Sequence, residues 1–172
     1  MRSIYIRCLS ALSVFAIGCS PAVVTPDALL FTGDSGGCGN FHVYRFNTNR
    51  TIAISLYVDQ KALAIGEGHS NVEIDQNQNG LQLEIVQFAQ PAGSYFCDDV
   101  DGDPFPIATW VAVTGEIEIG IAYIAPPAAF ANATHRVAVV MKNIKVKNSK
   151  TGQLAELSDV RIEDVWVGWL PG

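Results

Sequence analysis

Three groups of residues could do chemistry. Gly33-Asp34-Ser35-Gly36-Gly37 sets a serine hydroxyl among small, turn-forming residues. A nucleophilic serine needs a histidine base within reach, a carboxylate to orient that base, and amide donors for the developing oxyanion. Cys97-Asp98-Asp99-Val100-Asp101-Gly102-Asp103-Pro104 alternates carboxylates at Asp99, Asp101 and Asp103, with Gly102 permitting a sharp bend. Hard oxygen donors in that arrangement suit calcium. The third group is the cysteines, Cys8, Cys19, Cys38 and Cys97, whose role depends on compartment and parity.

The glycine-flanked serine resembles the string around the nucleophile of trypsin-like proteases, and the resemblance ends at those five residues. In that family the histidine and aspartate precede the serine along the chain, whereas His42, His69 and His135 all follow Ser35. A triad is defined by assembled roles, so Ser35 is expected to be non-catalytic and the run to be a flexible turn delivering Cys38 to a partner. The acidic loop departs from an EF-hand in a similar way. Counting from Asp99, the glycine and bidentate glutamate places six and twelve of that motif hold Pro104 and Trp110. Two readings stay open for Asp99, Asp101 and Asp103: an irregular structural calcium site, or a solvated acidic turn. No other cofactor is expected, because no phosphate-cradling motif is present and the histidines are scattered.

The first residues explain the cysteine count. Arg2 and Arg7 precede a mostly apolar run, Cys8 to Ile17, that is too short to span a bilayer, and small residues follow it; this is the layout of a secretory signal peptide. Phe15-Ala16-Ile17-Gly18-Cys19-Ser20 resembles the lipobox of bacterial lipoproteins, with Ala16 where that family usually has leucine. The resemblance implies cleavage before Cys19 and its lipidation (palmitate and related acyl chains). Simple cleavage would leave three cysteines in an exported protein, one of them unpaired. Acylating Cys19 instead leaves Cys38 and Cys97 as the one possible intrachain disulfide. More than one acyl chain anchors stably. Ser20 in the second mature position fits, by the same resemblance, an outer-membrane destination if the source is Gram-negative.

Losing Arg2 and Arg7 leaves nine basic against seventeen acidic residues, a net charge of −8. Such a surface is not expected to bind nucleic acid or to attract anionic headgroups. The expected partners are the membrane, through the anchor, and other envelope proteins or glycans.

The rest of the chain must position these groups, and it reads as successive strands. Ile52, Ile54, Leu56 and Val58 alternate with Thr51, Ala53, Ser55 and Tyr57, the period-two pattern of a half-buried strand. Phe41 to Asn47 precedes it across a short turn at residues 48–50. Val72 to Asp75 and Leu81 to Phe88 flank Gln76-Asn77-Gln78-Asn79-Gly80 and are expected to form a tight hairpin. Odd positions from Val111 to Tyr123 keep one phase, with a bend or turn expected at Thr114-Gly115. Val137, Val139 and Met141 keep one phase and Ile144 and Val146 the other, a slip that predicts a β-bulge near Lys142 or Asn143. Lys142, Lys145, Lys147 and Lys150 read as a solvated edge. Residues 150–152 signal a turn before a last strand from Val160 to Leu170. In that strand Val165, Val167 and Trp169 share a face, which leaves Trp166 outward. An outward Trp166 either stacks on a sugar ring or is covered by a neighbouring loop.

The expected architecture is all-β: an antiparallel β-sandwich, Ig-like or another Greek-key arrangement, of about eight strands. Residues 1–18 are the signal peptide, 19–33 a tether rich in proline, and 34–172 the domain. The expected function is non-enzymatic: a lipid-anchored envelope protein with a structural or binding domain, the alternative being a surface carbohydrate-binding module and, distantly, a hydrolase. Mass spectrometry of the mature N-terminus is expected to find a diacyl- or triacyl-modified Cys19 as first residue. An unmodified Cys19, or a cut elsewhere, would rule the anchor out.

Overall fold

The computed structural model describes residues 29–75, 79–93, 95–98 and 104–168. Cys19, Asp99, Asp101, Asp103 and Trp169 lie outside the described residues, as do 76–78 of the expected hairpin turn. The described residues are all-β and antiparallel and contain nine strands, where about eight were expected: β1 Ser35–Cys38, β2 His42–Phe46, β3 Ile52–Val58, β4 Gly68–Asp75, β5 Leu81–Phe88, β6 Pro106–Ala122, β7 His135–Asn148, β8 Leu154–Glu156 and β9 Val160–Val167. Among the described residues a 3-10 turn, Ala128–Phe130, sits between β6 and β7.

Hydrogen bonding runs β1-β2-β3-β5-β6-β7-β8, with β4 also on β6 and β9 also on β7. The two long strands explain this branching. The first half of β6 pairs with β5, and its second half with β4. The second half of β7 pairs with β8, and its first half with β9. Between the halves the β6–β7 register shifts twice, around Val113 and around Gly115 opposite Asn143. Gly115 and Asn143 both have positive φ. Strands that bend through bulges and change partners make the corners of sandwich-like folds. Here the corner folds β4 and β9 over the layer that contains β2, β3 and β5, without closing a barrel.

The expected slip near Asn143 is therefore present: His135, Val137, Val139 and Met141 are buried before it, and Ile144, Val146 and Asn148 after it. The bend at Thr114-Gly115 is present too, but Val111 and Val113 are not in phase with Ile117. Ala108, Trp110 and Ala112 face the core, and Val111 faces out. A bulge reverses the alternation of everything beyond it, and β6 must reverse where β7 does because the two are paired.

Three other expectations are corrected. The strands flanking residues 76–80 do not form a hairpin; β4 and β5 each pair with a different half of β6. Gly80 is nevertheless at φ +96, and its carbonyl accepts from Asp59 N. The glycine-rich run is not a loose turn, because residues 35–38 form β1. Lys142, Lys145 and Lys147 are not on an edge: β7 is flanked on both sides, and Lys142 and Lys145 pair with Glu118 and Glu156 across its outward face, while Lys150 lies in the exposed turn after it. The packed chain also reaches back into the expected tether, since Phe31 is buried in the core.

The main core joins Ile54, Leu56, Leu83 and Ile85 of one layer to Ile117, Ile119, Val139 and Ile162 of the other, with Trp110 and Phe41 fully buried among them. A second, smaller cluster of Phe46, Ala53, Val86, Phe88 and Ala92 lies on the opposite face of β2, β3 and β5.

The corner yields a direct test. A Cβ at Gly115, at φ +148, would collide with Ile144 Cδ1 and crowd the Ile144 backbone. Gly115→Ala is expected to cost about 2 to 4 kcal/mol through strain plus overpacking, read as a lower denaturant midpoint with an unchanged slope.

Candidate functional site

The outward face of β2, β3 and β5 is a grid whose rows follow from strand register. Phe46, Ala53 and Val86 are cross-strand neighbours; so are Tyr44, Ser55 and Glu84, and so are His42, Tyr57 and Gln82. The first row is apolar and must be covered. The segment after β5 does this, with Ala92, Tyr95 and Phe96 packing onto it. Arg50 ties that segment down from the β2–β3 turn. Its guanidinium lies 4.6 Å from the Phe46 ring centroid, donates to the Ala92 and Gly93 carbonyls, and pairs with Asp34 at 2.6 Å. Cys97 completes the attachment by a disulfide to Cys38. Across a sequence separation of 59, such a closure removes chain entropy worth on the order of 4 kcal/mol.

The polar rows remain open in a cavity of about 460 Å³ lined by His42, Ser55, Tyr57, Glu84, Tyr95 and Phe96. His42 Nε2 and Ser55 Oγ are 2.8 Å apart, and His42 Nδ1 is 3.7 Å from Cys38 Sγ. Burial lowers the His42 pKa. A serine–histidine pair is a familiar nucleophile, but its base is normally oriented by a carboxylate. Here the far nitrogen faces the bridge sulfur, and the nearest carboxylate in the row, Glu84, accepts from Gln82 Nε2 at 2.6 Å. What the geometry does is fix an imidazole beside the disulfide.

The expected ligand residue, Trp166, lies on the same side of the molecule at the seam between β1 and β9. Gly168 N donates to Gly39 O across that seam, and a Cβ at Gly37 would stand 2.7 Å from both Val165 Cγ1 and Val167 Cγ1. The glycines of the serine-containing run thus allow two strands to approach closely. A second groove, of about 370 Å³, opens there between Ser35, Tyr44, Phe130, Asp164 and Trp166. Phe130 stacks on Trp166 at 6.2 Å between centroids and is itself 46% exposed. Asp164, in a β9 bulge at φ +57, pairs with Arg136 at 3.2 Å, and Arg136 is the cross-strand partner of Trp166. Tyr44 joins the two grooves: its ring stacks on Phe96 at 4.7 Å, and its hydroxyl lies over Gly36.

Ser35 and Trp166 are therefore brought together, with no histidine beside them. His42 is bonded to Ser55 and His135 Nδ1 to Thr134 Oγ1, while His69 lies against Gly120 on β6. Trp110, an aromatic that could have served binding, is core. The His42–Ser55 contact was missed from the sequence, although the β2–β3 hairpin register carries it: with Tyr44 opposite Ser55, His42 is its diagonal neighbour.

The part-buried His42 and the buried His135 both have lowered pKa values, because burial disfavours their charged form. As pH falls through about 6.5, the unfolded chain takes up protons at these positions before the folded chain does. Stability contributed by the neutral rings is thus present above that pH and lost below it. Denaturant midpoints are expected to drop between about pH 7.5 and 5.5, and the drop should shrink in His42→Asn and in His135→Gln; an equal drop in both variants would contradict the assignment.

No family model matches the sequence, and no curated protein or solved structure matches the chain, so its function rests on the chemistry of these two grooves.

Proposed function

We propose that this chain is a lipid-anchored cell-envelope protein, held by an acylated Cys19, whose sandwich-like domain has a non-enzymatic structural or binding role. The disulfide supports an exported setting, since such bridges persist in oxidising compartments. The observation that carries a binding role is the outward aromatic shelf: Trp166 and Phe130 on one side of Tyr44, Phe96 on the other, with Asp164, Arg136 and Ser35 at its margin.

That shelf also favours the more specific reading, a carbohydrate-binding module. Sugar rings present flat C–H faces that suit aromatic side chains, and vicinal hydroxyls that suit a carboxylate beside a guanidinium. An open groove on strands matches a chain-like glycan better than a small, enclosed ligand. The net charge of −8 for the mature chain favours a neutral or cationic polysaccharide over an acidic one.

Titration with peptidoglycan fragments and neutral polysaccharides is expected to change the intrinsic tryptophan fluorescence. Trp166→Ala should abolish the change, and Arg136→Ala should weaken binding about tenfold, the worth of one charge-assisted contact. No fluorescence response to any glycan, with co-purification of other envelope proteins from native membranes, would favour the structural role instead.

A further inference from the structure

Cys38 and His42 are cross-strand partners on the β1–β2 hairpin, and Cys97 is delivered to them by the segment that covers the outer face. The two sulfurs and a ring nitrogen of His42 all lie within 4.8 Å of one another. We propose that the Cys38–Cys97 bridge is one of two states of this cluster, and that in the other, reached by reduction, Cys38, Cys97 and His42 bind a zinc-class metal ion.

The donor types are those of a thiolate–imidazole site, and the spacing is right. Around a tetrahedral zinc ion, with sulfur and nitrogen at about 2.3 and 2.0 Å, neighbouring donors stand about 3.5 to 3.8 Å apart. His42 Nδ1 and Cys38 Sγ are already 3.7 Å apart. The sulfurs have only to separate from bonding distance, which side-chain rotation can accomplish with the Cα atoms 5.7 Å apart. The histidine is also prepared as a ligand. A metal-binding imidazole usually gives its other N–H to an oxygen, which fixes tautomer and ring orientation. Ser55 Oγ, 2.8 Å from Nε2, is placed to accept that proton, leaving the Nδ1 lone pair toward the sulfurs. Phe96, edge-on to the imidazole at 5.6 Å between ring centroids, limits tilting. Three protein donors leave a fourth position open to water or a further ligand, and two of them, Cys38 and His42, line the same cavity as Ser55, Tyr57 and Glu84.

The exchange balances. A dithiol gives two electrons and two protons to the bridge and becomes a disulfide itself. The zinc-class ion then displaces the two thiol protons and is held by two thiolates and a neutral imidazole. In the reverse step the two thiolates give two electrons to the partner's disulfide, which takes two protons from solvent to become a dithiol, the Cys38–Cys97 bond re-forms and the ion is expelled. The segment carrying Cys97 stays attached in both states, by a covalent bond in one and by the metal in the other.

The test uses the full mature chain, reduced with a phosphine, freed of reductant and titrated anaerobically with Co²⁺. One equivalent is expected to bind with intense visible bands of tetrahedral cobalt and a thiolate-to-metal charge-transfer band, and Zn²⁺ should displace it. The oxidised chain should show none of these bands. His42→Ala is expected to weaken binding by about a hundredfold and to alter the visible bands, and Ser55→Ala, which keeps all three donors, by about tenfold. Oxidised melting curves report whether each variant folds, and Ser55→Ala carries the test if His42→Ala does not. Absence of the charge-transfer band in the reduced wild type, or affinities unchanged in the folded variants, would overturn the proposal.

Discussion

The period-two alternation of a strand is the constraint on which the rest of this structure depends. β6 and β7 are too long to lie in one layer, and each must present apolar side chains inward at both ends while turning a corner. A bulge accomplishes that only at the cost of reversing the phase. Because the strands are paired, a reversal in one without the other would oppose core residues to solvent-facing ones. Val113 and Gly115 on β6 and Asn143 on β7 therefore act together. Past the corner β5 gives way to β4 and β8 to β9, and β9 is carried round to meet β1. The Trp166 groove exists because those two strands meet.

The other face has a different origin. A sheet with one side on the main core can leave its second side to water, yet Phe46, Ala53 and Val86 make that side apolar along one row. Covering the row requires the segment after β5, whose described residues before β6 are not in a strand. Arg50 and the disulfide supply what the ladder does not. The neighbouring polar rows stay accessible beside the covered one, and this puts His42, Ser55 and the bridge at the margin of a cavity.

Legibility followed locality. The β3 pattern, the β2–β3 hairpin and the turn after Asn148 all depend on residues close in sequence, and the structure has them; Asn148 Oδ1 accepts from Lys150 N and Thr151 N at that turn. The Asn143 slip was legible because burial on both sides leaves opposite phases in the residues themselves. The β6 reversal was not: valines at 111 and 113 continued the odd-numbered phase, and only pairing with β7 moved Val111 outward. The Asn-Gly signal at the end of residues 76–80 argued for a hairpin, but β6 offered β4 and β5 separate lengths of edge. That choice is made by long-range pairing, which local turn chemistry does not encode. Ser35–Cys38 was read as a turn because glycine is a poor strand former. The need for close approach to Val165 and Val167 outweighs that propensity.

The disulfide pairing was reached by counting, and counting treats two cysteines as spent once they are joined. Register shows why that is incomplete. A cysteine at the end of a two-strand hairpin has a fixed cross-strand partner, and here the partner is His42. Had β2 been displaced by one residue, the position opposite Cys38 would have gone to Phe41 or Val43, both of which face the core, and the imidazole would have pointed away from the bridge. The register that buries Val43 and Phe46 on their respective faces is the same register that sets His42 against the sulfurs and within reach of Ser55. The position of His42 is thus held by the packing of apolar neighbours one and four residues away, which gives it the rigidity of the sheet and not of the loop that brings Cys97 to it.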